Sequence, residues 1–283
     1  ESVTPWPCGI APPDSPVPAP RATTGTCRPW HTRSTACTWA SVSGSATMAS
    51  SLDTFLTAQA TAHRDAWGLI QCASDTDANI IAGFSSFSSK RVAVAAGFAS
   101  VTSVISGRAF SRGAAWPAAA RAMAMTLSQD LGEVKSGPLD AVQSLTRDER
   151  KTPGLDTAGF LTLRSFVGQN GAYVCNPRIM ASVGSDFQLI QYRQVMDAAA
   201  RVGYATLLQF VNAELVVNDN GTIDEGEAQT IDAAVTAALA ETLMQPNLAS
   251  AVSATTDRAN NVLSTSTIKC KLRVRPKGYR SEE

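Results

Sequence analysis

Trp67-Gly68-Leu69-Ile70-Gln71-Cys72 and Arg91-Val92-Ala93-Val94-Ala95-Ala96-Gly97 decide the fold. Each is a short apolar run of the kind that forms a strand covered on both faces. Between them, Asp75-Thr76-Asp77 supplies a helix cap, and the residues around Ala78–Ser86 supply the helix. Strand, helix, strand at this spacing predicts a βαβ unit, with parallel pairing and a right-handed crossover. The expected class is α/β, a mixed sheet with flanking helices.

Working outward, Ser50-Ser51-Leu52-Asp53 opens a helical pattern that runs to about His63. Trp116-Pro117-Ala118-Ala119-Ala120-Arg121-Ala122-Met123 starts another helix, with proline in the first turn, where a missing N–H costs nothing. Residues 154–159 read as a short helix or turn. Residues 160–166 alternate as a strand, and Gly168-Gln169-Asn170-Gly171 turns the chain into Ala172-Tyr173-Val174-Cys175, a predicted hairpin.

Ser185-Asp186 precedes a long predicted helix to about Val211, with Leu189, Tyr192, Val195, Met196, Ala199 and Val202 on one face. Thr222-Ile223-Asp224-Glu225 reads as a capping box, and Ile231, Val235, Leu239 and Leu243 stripe the helix behind it, closed by Pro246-Asn247. Two strands are expected at the end: residues 251–256, then Thr267-Ile268-Lys269-Cys270-Lys271-Leu272-Arg273-Val274-Arg275. In the second, Ile268, Cys270, Leu272 and Val274 face one way, and Lys269, Lys271, Arg273 and Arg275 the other. A slip of one residue would bury four cations, so the register is strongly specified.

The chain of 283 residues carries 24 basic and 24 acidic side chains, a formal net charge of zero. That balance argues against a general nucleic-acid binder. No apolar run approaches the roughly 18 residues of a membrane span. Alanine supplies 45 residues, over a third of the 44% apolar content, and points to close helix packing around a light core. The neutrality is a sum of unlike parts: residues 268–283 hold six bases and two acids, and the rest 18 and 22. A cationic tail beside an acidic body suits self-association. Residues 1–47 hold eight of 14 prolines, three of five tryptophans, three of six cysteines and no lysine. They read as a Pro-rich extended arm or a poorly defined N-terminal segment. No secretory signal is legible at the start. None of the six cysteines forms a C-x-x-C pair, and single buried or interface thiols are expected.

Chemistry-bearing motifs are sparse. His31 sits in the Pro-rich segment and His63 at a helix end, with no nucleophile elbow near either. Residues 218–227 imitate a calcium loop, but Val216 stands at its first ligand position and offers no side-chain oxygen. A turn and a capped helix account for the same residues. No phosphate loop or dinucleotide fingerprint occurs, and no cofactor or metal is expected. Should the βαβ unit serve an enzyme, the candidate loops are residues 73–77 and 97–100, at the carboxyl ends of the strands.

Residues 193–201 (RQVMDAAAR), 207–212 (LLQFVN), 220–225 (NGTIDE), 261–268 (NVLSTSTI) and 276–279 (PKGY) form a collinear series that resembles the conserved C-terminal part of contractile bacteriophage tail sheath proteins. Ser106-Gly107-Arg108, Ala115-Trp116-Pro117 and residues 160–164 fit the same pattern upstream. Members of that family are commonly longer, with additional N-terminal domains, and residues 1–47 match none of them. The resemblance implies a tail-sheath-like C-terminal domain with extended terminal arm strands and no enzymatic activity. Residues 48–185 would form the α/β sheath domain, 186–266 a helical pair and strand completing it, and 267–283 a C-terminal arm. The implied partners are other sheath subunits in hexameric rings stacked helically, the tail tube protein, and baseplate and tail terminator proteins, with no direct nucleic acid. The implied location is the virion tail, after assembly in the host cytoplasm. The strand from Thr267 to Arg275 is the expected subunit interface, because a terminal alternating strand suits β-augmentation. The sheath of a bacteriocin or secretion-type injection system shares this reading; an α/β enzyme with an unrecognised site is the alternative of a different class.

Overall fold

A computed structural model describes residues 36–140 and 142–278. Residues 1–35, with His31, and the last residues of the terminal arm lie outside the described part. The first element already departs from expectation. Strand β1 (Ala36–Gly44), within the stretch read as an arm, pairs in parallel with β2 (Trp67–Cys72). Local composition hid it, because its hydrogen-bonding partner lies beyond helix α1 (Ala46–Thr61). Ser45 caps α1 by accepting from the Met48 amide, so the helix starts a turn earlier than Ser50 suggests. Thr76 caps α2 (Asp77–Phe84), which leads to β3 (Val92–Ala95), paired in parallel with β2. The central sheet runs β1-β2-β3.

Both faces of this sheet are covered, which is why its strands read as unbroken apolar runs. Leu52 and Leu56 of α1 pack with Ile70, Val92 and Val94. Each such aliphatic side chain contributes about 1.5–3 kcal/mol when fully buried. At Gly68 a Cβ would stand 2.6 Å from Leu52 Cδ2, so a larger residue there would force the Leu52 and Leu56 side chains to shift. On the other face, Leu69, Ala93 and Ala95 meet the alanines of α3 (Ala115–Ala124). Ala118 and Ala122 are buried there.

Beyond β3 the chain turns at Gly97, at φ +91°, a conformation that favours glycine. It then forms an antiparallel sheet of β4 (Phe98–Thr102), β5 (Ala109–Gly113) and β6 (Val142–Leu145), in the order β5-β4-β6. The β4–β5 tip leaves Val104 and Ile105 almost wholly exposed. Helix α3 has no side-chain cap of its own. Buried Gln71 replaces it: its Oε1 accepts from the Ala115 amide at 3.0 Å, and its Nε2 donates to the Gly97 carbonyl at 3.1 Å. The predicted hairpin is present as β7 (Leu163–Arg164) and β8 (Tyr173–Val174).

The C-terminal part has its own core. Helices α4 (Ile190–Leu207) and α5 (Glu225–Leu239) pack with β9 (Ala249–Thr256) and β10 (Cys270–Pro276), the short α6 (Val262–Thr265) lying between the strands. Val195, Ala199 and Val202 face α5, where Ile231, Val235 and Leu239 are fully buried, and Leu243 lies in the π-helical turn that follows. Two readings need correction. Asp224, not Thr222, caps α5. Thr222 is held in the preceding turn by Asn220, and Glu225 turns to Arg258 instead of reaching back. The terminal strand begins at Cys270, so Thr267, Ile268 and Lys269 precede it. Even so, Lys269 still accepts from the Asp257 amide at 2.8 Å.

A buried charge cluster joins α4 to the parallel sheet. Arg91, at the start of β3, contacts Asp65 at 2.8 Å and Asp197 of α4 at 3.2 Å, while Arg193 binds Asp197 from the same helix. Burial pushes the Asp197 carboxyl up from its usual value, opposed by the guanidinium groups of Arg193 and Arg91. Removing one member of such a cluster strands the others in a low dielectric. Asp197→Ala is expected to cost about 3 kcal/mol, read as a lower midpoint in urea unfolding.

Candidate subunit interface at the terminal strand

Among the described residues strand β10 pairs only with β9, antiparallel: Cys270 stands opposite Thr256, Leu272 opposite Ala254 and Val274 opposite Val252. The predicted alternation is present. Cys270, Leu272 and Val274 pack against the C-terminal core, and Lys271, Arg273 and Arg275 are exposed. Leu272 reaches α4 at Gly203, where a Cβ would come within 2.7 Å of its Cδ1.

The backbone edges matter more than the side chains. The Asp257–Lys269 hydrogen bond fixes the phase of the ladder. In antiparallel pairing every second residue turns its N–H and C=O away from the partner strand. On β9 those residues include Ala254 and Thr256. Their amides donate to Thr236 Oγ1 at 3.1 Å and Asp232 Oδ1 at 2.6 Å, so α5 covers that edge at Ala254 and Thr256. On β10 the outward groups belong to Cys270, Leu272 and Val274. No strand among the described residues pairs with that edge.

An open groove of about 850 Å³ runs beside it, with Asp130, Arg178, Phe187, Tyr192 and Met196 among the lining residues opposite β10. Asp130 anchors its floor, accepting from the Gly132 amide at 2.7 Å and from Gln191 Nε2 at 3.1 Å. Burial pushes the Asp130 carboxyl above its usual value, and those two hydrogen bonds only partly offset the rise.

The acidic and cysteine side chains beside the candidate enzyme loops have defined partners. Asp77 binds Arg147 through contacts of 2.8–3.1 Å, and Arg147 also binds Glu149 and the Thr152 carbonyl. Asp75 accepts from the Thr76 amide and from Asn79. Burial pushes the Cys72 thiol up to about 11, far from a nucleophilic thiolate. His63 stacks on Tyr204 with centroids 3.9 Å apart. In the loop that imitates a calcium site, Asn220 Oδ1 accepts from the amide and hydroxyl of Thr222, and Asn218 donates to the Ile223 carbonyl. Among the described residues no group of three His, Cys, Asp or Glu side chains is placed to hold a metal, and no helix is long and apolar enough to cross a membrane.

The fold is that of contractile sheath proteins. The chain superimposes with a TM-score of 0.60 on a chain in a structure of the anti-feeding prophage baseplate, at 14% identity, covering 84% of this chain and 64% of that one. For an extracellular contractile injection system, the PVC sheath complex in its contracted state, the TM-score is 0.59 at 10% identity, covering 81% and 65%. The sheath tail protein from Desulfitobacterium hafniense gives 0.53 at 12% identity, covering 85% and 56%. This chain therefore spans less than two thirds of the length of each of these neighbours.

Residues 186–283 match the family described as DUF2586, C-terminal domain, and its first residue lies just ahead of α4 and the separate C-terminal core. A comparison with curated protein sequences gave no match.

The raised Asp130 value has a measurable consequence. Between the ordinary aspartate value, about 3.9, and the higher folded one, the folded state holds more protons than the unfolded chain. Stability should therefore fall as pH rises through that window. Asp130→Asn should flatten this slope in urea unfolding at a series of pH values.

Proposed function

We propose that this chain is a non-enzymatic sheath subunit of a contractile phage tail. It polymerises in hexameric rings around an inner tube, and contraction of the stacked rings drives the tube through the host envelope. The observation that carries this reading is the unpaired edge of β10 on a sheath fold. The edge offers the backbone groups of Cys270, Leu272 and Val274 beside an open groove. A strand from a neighbouring subunit would gain main-chain hydrogen bonds there, and groove residues would select its side chains. Baseplate and terminator proteins would meet the ends of the tube-and-sheath assembly. Systems such as the anti-feeding prophage and PVC use the same fold, so a capsid on the particle separates a phage tail from an injection device.

Purified protein is expected to form tubes with stacked rings in negative-stain micrographs; a monomer under all conditions overturns the reading. Deleting residues 267–283 is a blunt test, because it also strips Leu272 and Val274 from the core. Val274→Pro is sharper. It removes one outward N–H, leaves the ladder to β9 intact and sets an apolar ring where the half-buried Val274 side chain packs, so the variant should keep its circular dichroism spectrum and lose assembly in sedimentation. The exposed cations of β10 should also make assembly weaken as salt rises.

A further inference from the structure

Two exposed apolar patches of opposite charge lie at opposite ends of the parallel sheet. The first belongs to β5 and α3. Phe110 and Trp116 are 43% and 55% exposed, and the Arg112 guanidinium lies 5.7 Å from the centroid of each ring. This patch follows β3, at the carboxyl end of the strands: the Gly97 carbonyl accepts from the Ala114 amide at 3.0 Å. The second patch follows α4. Leu208 and Val211 are 49% and 60% exposed, and Glu214, three residues after Val211, is exposed as well. It sits at the amino end of the strands, since Tyr204 stacks on His63 just ahead of β2.

We propose that these patches bind each other between two copies of the chain, in a head-to-tail contact that seats Leu208 and Val211 on Phe110 and Trp116 and pairs Glu214 with Arg112. The composition fits, since Trp, Phe and Arg are enriched at interface centres. Charge decides the geometry. A two-fold contact of either patch with itself would oppose Arg112 to Arg112 or Glu214 to Glu214, whereas unlike patches attract. A contact between different surfaces repeats without closing on a dimer, and so builds rings or helices. This contact is separate from the β10 edge and rests on the reading of the chain as a self-assembling sheath subunit.

A charge exchange tests it. Arg112→Glu and Glu214→Arg should each raise the concentration needed for assembly by about tenfold or more, as expected for a lost interfacial ion pair. Melting temperatures measured below the assembly concentration should stay at the wild-type value, because both positions are exposed. The double variant should assemble again near the wild-type concentration. An equimolar mixture of the two single variants should also assemble, because alternating copies restore both pairings. Sedimentation velocity and negative-stain microscopy read all four samples. Single variants that assemble like wild type, or a double variant and mixture as impaired as the single variants, overturn the contact while leaving the sheath reading intact. A wild-type chain that never self-associates overturns both.

Discussion

Arg91 stands between Asp65 and Asp197, and the way α4 meets the parallel sheet depends on that junction. On one side lies the parallel sheet with α1 and α3. On the other lie α4, α5 and the β9–β10 ribbon, packed around a separate core. The face that α4 turns to the sheet is polar. Besides the charge cluster, Gln191 donates to Asp130, and Gln194, in the amide orientation that satisfies both of its polar atoms, bridges Trp67 Nε1 and the Leu127 carbonyl. Buried charges are weak stabilisers but strong constraints on geometry, because few relative placements satisfy all of them. The junction thus sets where α4 lies, and α4 in turn sets the groove beside β10.

The alanine-rich composition has a structural counterpart. On α3, small side chains allow the helix to sit low on the sheet, and its N-terminus is then close enough for Gln71 to cap. Such packing buries little apolar area for each residue.

Parts of this architecture were legible in the residues. β2 matched its expected bounds, because a strand buried on both faces is a continuous apolar run flanked by turns. β4 and β5 were not legible: Ser100, Thr102 and Ser111 interrupt any apolar pattern, and β5 is exposed along nearly its whole length. β1 was missed because its surroundings are rich in Pro, Trp and Cys and its partner lies beyond α1. On α4 the apolar stripe was clear, but the burial of Gln191, Arg193, Gln194 and Asp197 was not, since polar residues on a helix ordinarily face water.

The sequence by itself determined the βαβ unit and the register of the terminal strand. Both follow from periodicity within a short stretch: an unbroken apolar run in one case, and four cations that must face water in the other. Only the tertiary structure decided which backbone edge stays open. Asp232 and Thr236 of α5 bind the amides of Thr256 and Ala254 at the far edge of β9, and no strand among the described residues pairs with the β10 edge. It also decided which charges pair in the interior. Those outcomes depend on contacts between residues far apart in the chain, and a local pattern carries no information about such distances.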